Sequence, residues 1–556
     1  MAEGWCCADK TCIVTGGASG IGALNVQWFL REGARVAILD VAEEKGKELQ
    51  TRLNLLYTGK VLFYKCDMTD EEQISRAFDR VVEDFKRVDI IINNAGIFAD
   101  TPNVWRRACD VNWQGVVSLT LKGIKHMRKD QGGEGGTIIN VSSVAALVRF
   151  PYLPIYNGSK AAVLHFSQTI SLNPFFETTG VRILVMCYGA TDTSLLSNIE
   201  NKTWDEVLGK NVTKMVAPAV PVQRAESAAA ALYSMYKKAA NGSIWLSVND
   251  KEGKDITSTV DAAFKNFENI LNKHTAIWRK IKMSGHWDLK NKTFLVTGGA
   301  SGLGALYTEW LLREGVKSIA ILDVAADKGE ELTAKLNTIY PGKVAFYQCD
   351  VGDEAQLSDV FERVLKNVGK LDAIINNAGI MNDSPENWRK SVDVNWRGLV
   401  SLTLKGVEHM RVDEGGAGGT ILNVSSTAAL VRTTFLPIYC GSKAAVLQFG
   451  LSLSMPPFYE NTGVRILTFC LGATNTPLLD NLGSRCWDEK TKKDIVDYLS
   501  TEVDVQKAES AADAIVKIIK EGDNGSIWLS VSDKPASDIT SQIDAGFKAF
   551  EAIAHG

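Results

Sequence analysis

No apolar run in this sequence reaches the ~18–20 residues needed to cross a bilayer, so no membrane span is expected. The opening Met1-Ala2-Glu3-Gly4-Trp5-Cys6-Cys7 lacks a basic stretch followed by an apolar one, which argues against a secretory signal. Positive charge is not in surplus: 61 Lys and Arg stand against 65 Asp and Glu, a formal net charge of −4. That balance supplies no general attraction toward nucleic acid or an anionic membrane. Cysteine is scarce, 10 in 556 residues, which excludes a disulfide framework, and none clusters with His at ligand spacing. No metal site is expected, and the expected location is cytoplasmic. Cys12, Cys187 and Cys470 fall in apolar runs, where a free thiol acts as a small hydrophobe. Cys6-Cys7 reads as an exposed, inert pair.

What the chain does have is a second copy of itself. TCIVTGGASGIGAL from Thr11 returns as TFLVTGGASGLGAL from Thr293, and LPIYNGSKAAVL from Leu153 returns as LPIYCGSKAAVL from Leu436. NGSIWLSVNDK from Asn241 returns as NGSIWLSVSDK from Asn524, so the likeness runs from end to end. A period this long means duplicated domains rather than a solenoid. The copies are placed at 1–272 and 283–556, joined by a basic connector at 273–282 that spans ~33–36 Å when fully extended.

Within each copy, short β-branched runs alternate with longer amphipathic segments. In the first copy the runs are Cys12–Val14, Arg35–Leu39, Val61–Tyr64, Ile90–Ile92, Thr137–Val141, Arg182–Met186 and Ser243–Leu246. Helix-length stretches such as Ile21–Glu32, Glu71–Phe85 and Asn157–Ser171 lie between them. The runs are almost wholly apolar, as in strands covered on both faces. This alternation predicts an α/β fold, two tandem doubly wound Rossmann-type domains, each with a parallel sheet of about seven strands. Ligands of such a sheet sit beyond the carboxyl ends of its strands.

The first strand runs into Thr15-Gly16-Gly17-Ala18-Ser19-Gly20-Ile21-Gly22 and then a helix, and the pattern returns at Gly298, Gly302 and Gly304. Glycines there allow a tight turn, and the helix N-terminus can meet a pyrophosphate. Asp40 ends the second strand, as Asp323 does in the second copy. A carboxylate there accepts from an adenosine ribose and repels a 2′-phosphate, and no Arg or Lys sits in the turn to receive one. The expected cofactor is NAD rather than NADP.

Tyr156-Asn157-Gly158-Ser159-Lys160 places Tyr and Lys four apart on one helix face. A nearby ammonium stabilises the phenolate of a Tyr whose free pKa is ~10 and makes proton exchange with an alcohol feasible. Ser142-Ser143 lies just upstream with hydroxyls able to hold a reacting oxygen.

Together TGGASGIG, Asp67, NNAG at Asn93–Gly96, Asn112, Ser143, Tyr156 and Lys160 resemble the short-chain dehydrogenase/reductase family over nearly all of each copy. Within it the sequence is most similar to the hydroxyprostaglandin dehydrogenases and the insect-type alcohol dehydrogenases, with GGEGGTIINVSS at Gly132–Ser143 as the closest local match. The resemblance implies Tyr156 as proton acceptor and donor and Ser143 as orienter of the substrate oxygen. It makes Lys160 the ribose-binding partner that tunes Tyr156, and gives Asn112 a proton-relay water. Asp67 is implied to meet the adenine ring and Asn94 the neighbouring ribose. Gly16, Ser19, Gly20, Ile21, Gly22, Gly96, Ala190 and Thr193 complete the implied cofactor site. In the second copy the catalytic roles fall on Asn395, Ser426, Tyr439 and Lys443. The cofactor roles there fall on Gly298, Ser301, Gly302, Leu303, Gly304, Asp323, Asp350, Asn377, Gly379, Ala473 and Thr476.

Two departures from the family pattern stand out. After the sixth strand the family usually has Pro-Gly, where this chain has Tyr188-Gly189 and Leu471-Gly472. The hydroxyprostaglandin enzymes carry a Gln three residues before the Tyr, where this chain has Leu153 and Leu436. That exchange favours a small lipophilic alcohol or carbonyl substrate, as do Leu195, Leu196, Ile199, Trp204, Val207 and Leu208 in the segment where the family keeps its lid. The second copy has Arg485, Cys486 and Trp487 there, so the pockets need not share a substrate. Set against a dehydrogenase are a fold-retaining binding or storage protein and an NAD-assisted isomerase or cyclase. The near-identical VSLTLKGIKHM from Val117 and VSLTLKGVEHM from Val400 fall on helices through which family members dimerise, so an internal pseudo-dimer of the two halves is expected.

Overall fold

The computed structural model describes residues 5–205, 209–210, 212, 221–272, 287–501 and 503–555. The connector at 273–282, and Val207 and Leu208 of the lid segment, lie outside the described residues.

The first apolar runs form β1 (Thr11–Thr15), β2 (Arg35–Asp40), β3 (Val61–Lys65) and β4 (Ile90–Asn93). They are followed by β5 (Gly136–Ser143), β6 (Val181–Tyr188), β7 (Ile244–Ser247) and a two-residue β8 (Lys254–Asp255). Their order is β3-β2-β1-β4-β5-β6-β7-β8. Seven strands run parallel, and β8 adds an antiparallel edge on β7. The second half repeats the sheet with β9 (Thr293–Thr297), β10 (Ser318–Asp323), β11 (Val344–Gln348) and β12 (Ala373–Asn376), then β13 (Gly419–Ser426), β14 (Val464–Leu471), β15 (Ile527–Ser530) and β16 (Ser537–Asp538). Its order is β11-β10-β9-β12-β13-β14-β15-β16. Each half is therefore a doubly wound α/β sheet with one strand more than the sequence predicts. The extra strand carries no apolar pattern: Lys254 and Asp255 are both exposed.

The central strands are buried along nearly their whole length because helices cover both faces. Glu71–Phe85 begins on Asp70, whose carboxylate accepts the Gln73 N–H at 3.0 Å while the Gln73 amide returns to it at 2.8 Å. That doubly bonded cap starts the helix, whose amphipathic pattern turns Ile74, Phe78, Val81 and Phe85 inward. In the core, Val14, Ile38, Ile92, Ile139 and Leu184 pack from neighbouring strands against Phe29, Tyr233 and Tyr236 of the flanking helices. Cys7 belongs to this core, not to an exposed pair; only Cys6 is exposed. Leu289 of the second half is likewise buried in the other core, which shows the position to be an apolar plug.

By their contacts the described residues form two compact units, one drawn from 1–263 with 547–556 and one drawn from 264–546. The repeat in the sequence ends the first copy at 272, whereas residues 264–272 group with the second unit.

In each sheet the strand order reverses beside the first strand of the half, between β1 and β4 and between β9 and β12. The loops leaving those strands part there and open a crevice at their carboxyl ends.

Candidate active site

The crevice of the first half is a cavity of about 620 Å³. One wall is the glycine turn. Gly16 and Gly20 have φ of +62° and +52°, a backbone that side chains rarely adopt. The helix Gly20–Arg31 follows, and its N-cap Ser19 makes no side-chain capping bond, so the helix presents uncapped N–H groups to the crevice. A Cβ on Gly20 would lie 3.5 Å from Thr193 Cγ2, which brings the segment after β6 against the turn. Ile21, Gly22 and Ala190 line the same space.

Asp40 lies on the wall beside them. Its carboxylate accepts the Ala18 N–H at 3.0 Å and the Ala42 N–H at 2.9 Å. The acid thus braces the glycine turn as well as capping the next segment, and keeps lone pairs for a ligand. Asp323 repeats this with Ala300 and Ala325, both at 3.0 Å. Asp67 is held by Thr69 and by the Arg107 guanidinium at 2.9 Å; Lys390 pairs with Asp350 in the second half. Arg107 and Lys390, which line the cavities, were not singled out in the sequence: each lies forty positions from its acid, with no local pattern to announce it. The Asn94 amide donates to the Thr15 carbonyl at 3.0 Å and so ties β4 to the turn, as Asn377 does with Thr297.

The reactive set lies deeper. Ser143 ends β5, donates to the Tyr188 carbonyl at 3.3 Å and caps the short turn after it. Tyr156 and Lys160 stand on the first turns of the helix Pro154–Ile170, which is buried along its whole length. The Lys160 ammonium donates to the Val141 carbonyl at 3.0 Å and sits 5.7 Å from the Tyr156 ring centre. Asn112 lies in a π-turn at Asp110–Gln114 and uses both side-chain atoms on the Ile97 backbone, each at 2.8 Å. A Cβ on Gly96 would lie 3.3 Å from Asn112 Oδ1 and 3.7 Å from Lys160 Nζ, so the two groups converge on that glycine. Asn112 therefore stands behind the cavity wall rather than in it. The second half matches: Ser426 donates to Leu471, Lys443 to Val424 and Asn395 to Ile380. Gly379, Ser301, Leu303, Ala473 and Thr476 line its cavity of about 830 Å³.

Burial sets the electrostatics of both sets. Desolvation pushes the Tyr156 phenol up to about 12, against a lowering hydrogen bond from Ser143, and pushes Tyr439 up likewise. The same burial brings Lys160 and Lys443 down to about 8. A phenol, a hydroxyl and an ammonium gathered beside an anion-binding turn can exchange a proton with an alcohol while a dinucleotide lies alongside.

Beyond the phenol the first cavity is lined by Phe98, Val148, Phe150, Leu195, Leu196 and Ile199. Phe98 stacks edge-on to Tyr156 with ring centres 4.7 Å apart. Trp204 does not line the cavity, and Leu153 is buried beside Tyr156. The second cavity mixes Leu478, Leu479 and Leu482 with Arg432, Thr433 and Asp504. Arg485 and Trp487 do not line it and donate to the carbonyls of Leu478 and Thr434, and Cys486 is buried.

The family model described as short chain dehydrogenase matches residues 10–204 and again 292–487. 15-Hydroxyprostaglandin dehydrogenase (NAD(+)) of Rattus norvegicus and of Homo sapiens is 37% identical over 195 residues, 35% of this chain and 72% of each relative. Alcohol dehydrogenase 2 of Ceratitis capitata is 32% identical over 243 residues, 44% of this chain and 92% of its own length. Among solved structures, the C-domain of a bacterial malonyl-CoA reductase with NADP aligns with a TM-score of 0.63 at 12% identity, covering 92% of this chain and 96% of its own. At that identity the likeness shows the fold.

Proposed function

The chain belongs to the short-chain dehydrogenase family, and from that premise we propose that each half interconverts a lipophilic alcohol and its carbonyl compound with NAD. The observation that carries the reading is the convergence, twice over, of Ser, Tyr and Lys on one cavity with an uncapped helix N-terminus. In the direction of oxidation Ser143 holds the alcohol oxygen, Tyr156 takes its proton, and the Lys160 cation stabilises the phenolate. NAD, when bound, supplies the hydride acceptor, held by the glycine turn, Asp40, Asp67 and Asn94. Ser426, Tyr439 and Lys443 do the same work in the second half. The apolar residues beyond Tyr156 support a lipophilic substrate for the first half, and Leu478, Leu479 and Leu482 support one for the second, where Arg432, Thr433 and Asp504 favour a different alcohol. Nicotinamide absorbance during turnover of an alcohol panel tests the assignment. Net NADH formation is the expected result; product without net NADH marks internal redox, and neither marks a binding protein.

Cofactor choice follows from Asp40 and Asp323. Each isolated half is expected to bind NAD more tightly than NADP. Asp40→Ala and Asp323→Ala are each expected to weaken NAD about tenfold, the value of one charge-assisted hydrogen bond, and to narrow the gap to NADP. Equal or tighter NADP binding by the unaltered halves sinks the choice.

We further propose that the halves pair as an internal pseudo-dimer, supported by the near-identity of the segments at Val117 and Val400. A two-fold interface needs self-complementary faces, which a duplication supplies, and the connector raises their effective concentration. Light scattering after cleavage within 273–282 is expected to show one chain's mass; halves that separate refute the pairing. A cytoplasmic location is proposed with it, supported by the unpaired cysteines. Among the described residues no helix is long and apolar enough to cross a membrane.

A further inference from the structure

The loop after the fourth strand of each half carries an acid that the reaction scheme does not use. Asp100 and Asp383 are both 0% exposed. Asp100 Oδ2 accepts the Ile155 N–H at 2.7 Å, and its Oδ1 accepts that of Tyr156 at 2.9 Å. The helix they open starts poorly by itself: its N-cap is Leu153, whose side chain has no acceptor, and Pro154 has no N–H to satisfy. The acid therefore caps, from a distant part of the chain, the very turn that holds the phenol.

Its own backbone faces the other way. The Asp100 N–H donates to the Lys202 carbonyl at 2.7 Å, and the Lys202 ammonium turns back to the Leu195 carbonyl at 2.7 Å. Leu195 lines the substrate end of the cavity. Three residues before Asp100, Ile97 is held by Asn112. One short loop thus touches the relay asparagine, the turn bearing the tyrosine and the segment over the pocket.

The second half makes the same connections with different side chains. Asp383 accepts the Ile438 N–H at 2.6 Å and the Tyr439 N–H at 3.0 Å. Its N–H donates to the Arg485 carbonyl at 2.8 Å, and the Arg485 guanidinium reaches the Leu478 carbonyl at 3.0 Å. Lys202-Thr203-Trp204 and Arg485-Cys486-Trp487 keep a basic residue at the first position, and the link is the same.

We propose that Asp100 and Asp383 are positioning residues that couple the segment covering the substrate pocket to the placement of the catalytic tyrosine. A buried carboxyl is a costly way to cap a helix; burial pushes both up to about 8 against the pull of their two N–H donors. A Ser or Thr at position 153 would stabilise the helix at less cost. What the distant acid adds is rigidity between cover and phenol, so that a substrate that seats the one aligns the other.

The proposal rests on the assignment of Tyr156 and Tyr439. With the second site silenced by Tyr439→Phe, Asp100→Ala is expected to lower kcat for an alcohol turned over by the first half about 10- to 100-fold, since a ~1 Å misplacement of a reacting group costs on the order of 100-fold. The alcohol KM is expected to rise and NADH binding, read by fluorescence titration, to stay unchanged. Asp100→Asn keeps one acceptor and falls between, which decides the matter if the alanine variant does not fold. Lys202→Ala, which removes the tie from the Lys202 ammonium to the Leu195 carbonyl within the cover, is expected to raise the alcohol KM. A folded Asp100→Asn with unaltered kcat and KM overturns the coupling, as does a loss of NADH binding in step with kcat. If Tyr156→Phe with Tyr439→Phe still turns over, the tyrosine assignment itself falls; if that variant is dead while Asp100→Asn is unaffected, only the coupling does.

Discussion

Alcohol oxidation is expected to fall roughly 100- to 10,000-fold when Tyr156→Phe and Tyr439→Phe are combined, the range for loss of a general acid–base group. Each single variant is expected to keep the activity of the other half. Both phenols are buried, and phenylalanine fills the same space without the hydroxyl that must receive the proton. The change removes nothing from the glycine turn, so NADH binding serves as the control. The phenolate is the working form in oxidation, and burial places the free Tyr156 phenol up near 12, so the rate climbs as the solution is made alkaline until the Lys160 cation, which the same burial brings down to about 8, is lost and the gain stops. A single variant already dead on every alcohol would mean that the other site is silent or that the two are coupled.

The sequence announced the sheet through seven β-branched runs and the site through the glycine turn and Tyr156-Asn157-Gly158-Ser159-Lys160, because those signals are local. Strand burial, turn chemistry and a four-residue helical spacing are each written within a few residues. What escaped was non-local. Arg107 meets Asp67, and Asp100 meets Tyr156, only after the sheet has brought separate loops together. In sequence Asp100 is one more polar residue in a loop; its burial comes from the helix laid across it. The two-residue β8 escaped for a different reason, since a pairing of two exposed residues leaves no pattern to read. Cys7 looked exposed beside Cys6 because the core that closes over it is built from helices far along the chain, Tyr233 and Tyr236 among them. The spacing of Asp40 marks it as a ribose acceptor but not its second use: two N–H groups hold the carboxylate in place on the cavity wall.

Gly22→Ala is expected to weaken NAD binding by the first half about 100-fold, and Gly304→Ala to do the same in the second. The argument is steric. Gly22 lies within the helix Gly20–Arg31, where alanine is the better helix former, so backbone conformation raises no objection. The added Cβ, however, would fall well inside contact with the Gly16 carbonyl oxygen and 2.7 Å from Asn94 Nδ2. Backbone cannot yield as a flexible side chain does, and the Asn94 amide is committed to the Thr15 carbonyl at 3.0 Å. Relief therefore requires the turn to open, which moves the helix N-terminus away from the anion it would hold. Overpacking of this kind costs about 1–3 kcal/mol, and each 1.4 kcal/mol is a factor of ten in affinity. Gly304 faces the Gly298 carbonyl and Asn377 in the same way, with the Asn377 amide 2.8 Å from the added atom. Gly59→Ala is the control. Its φ of +74° makes alanine strained, but nothing lies within 4 Å of the new Cβ, so stability falls slightly and NAD affinity stays. Titration of NADH against each variant half reads the difference. Unaltered affinity in a folded Gly22→Ala half would show that the close packing of turn on helix does not hold the cofactor.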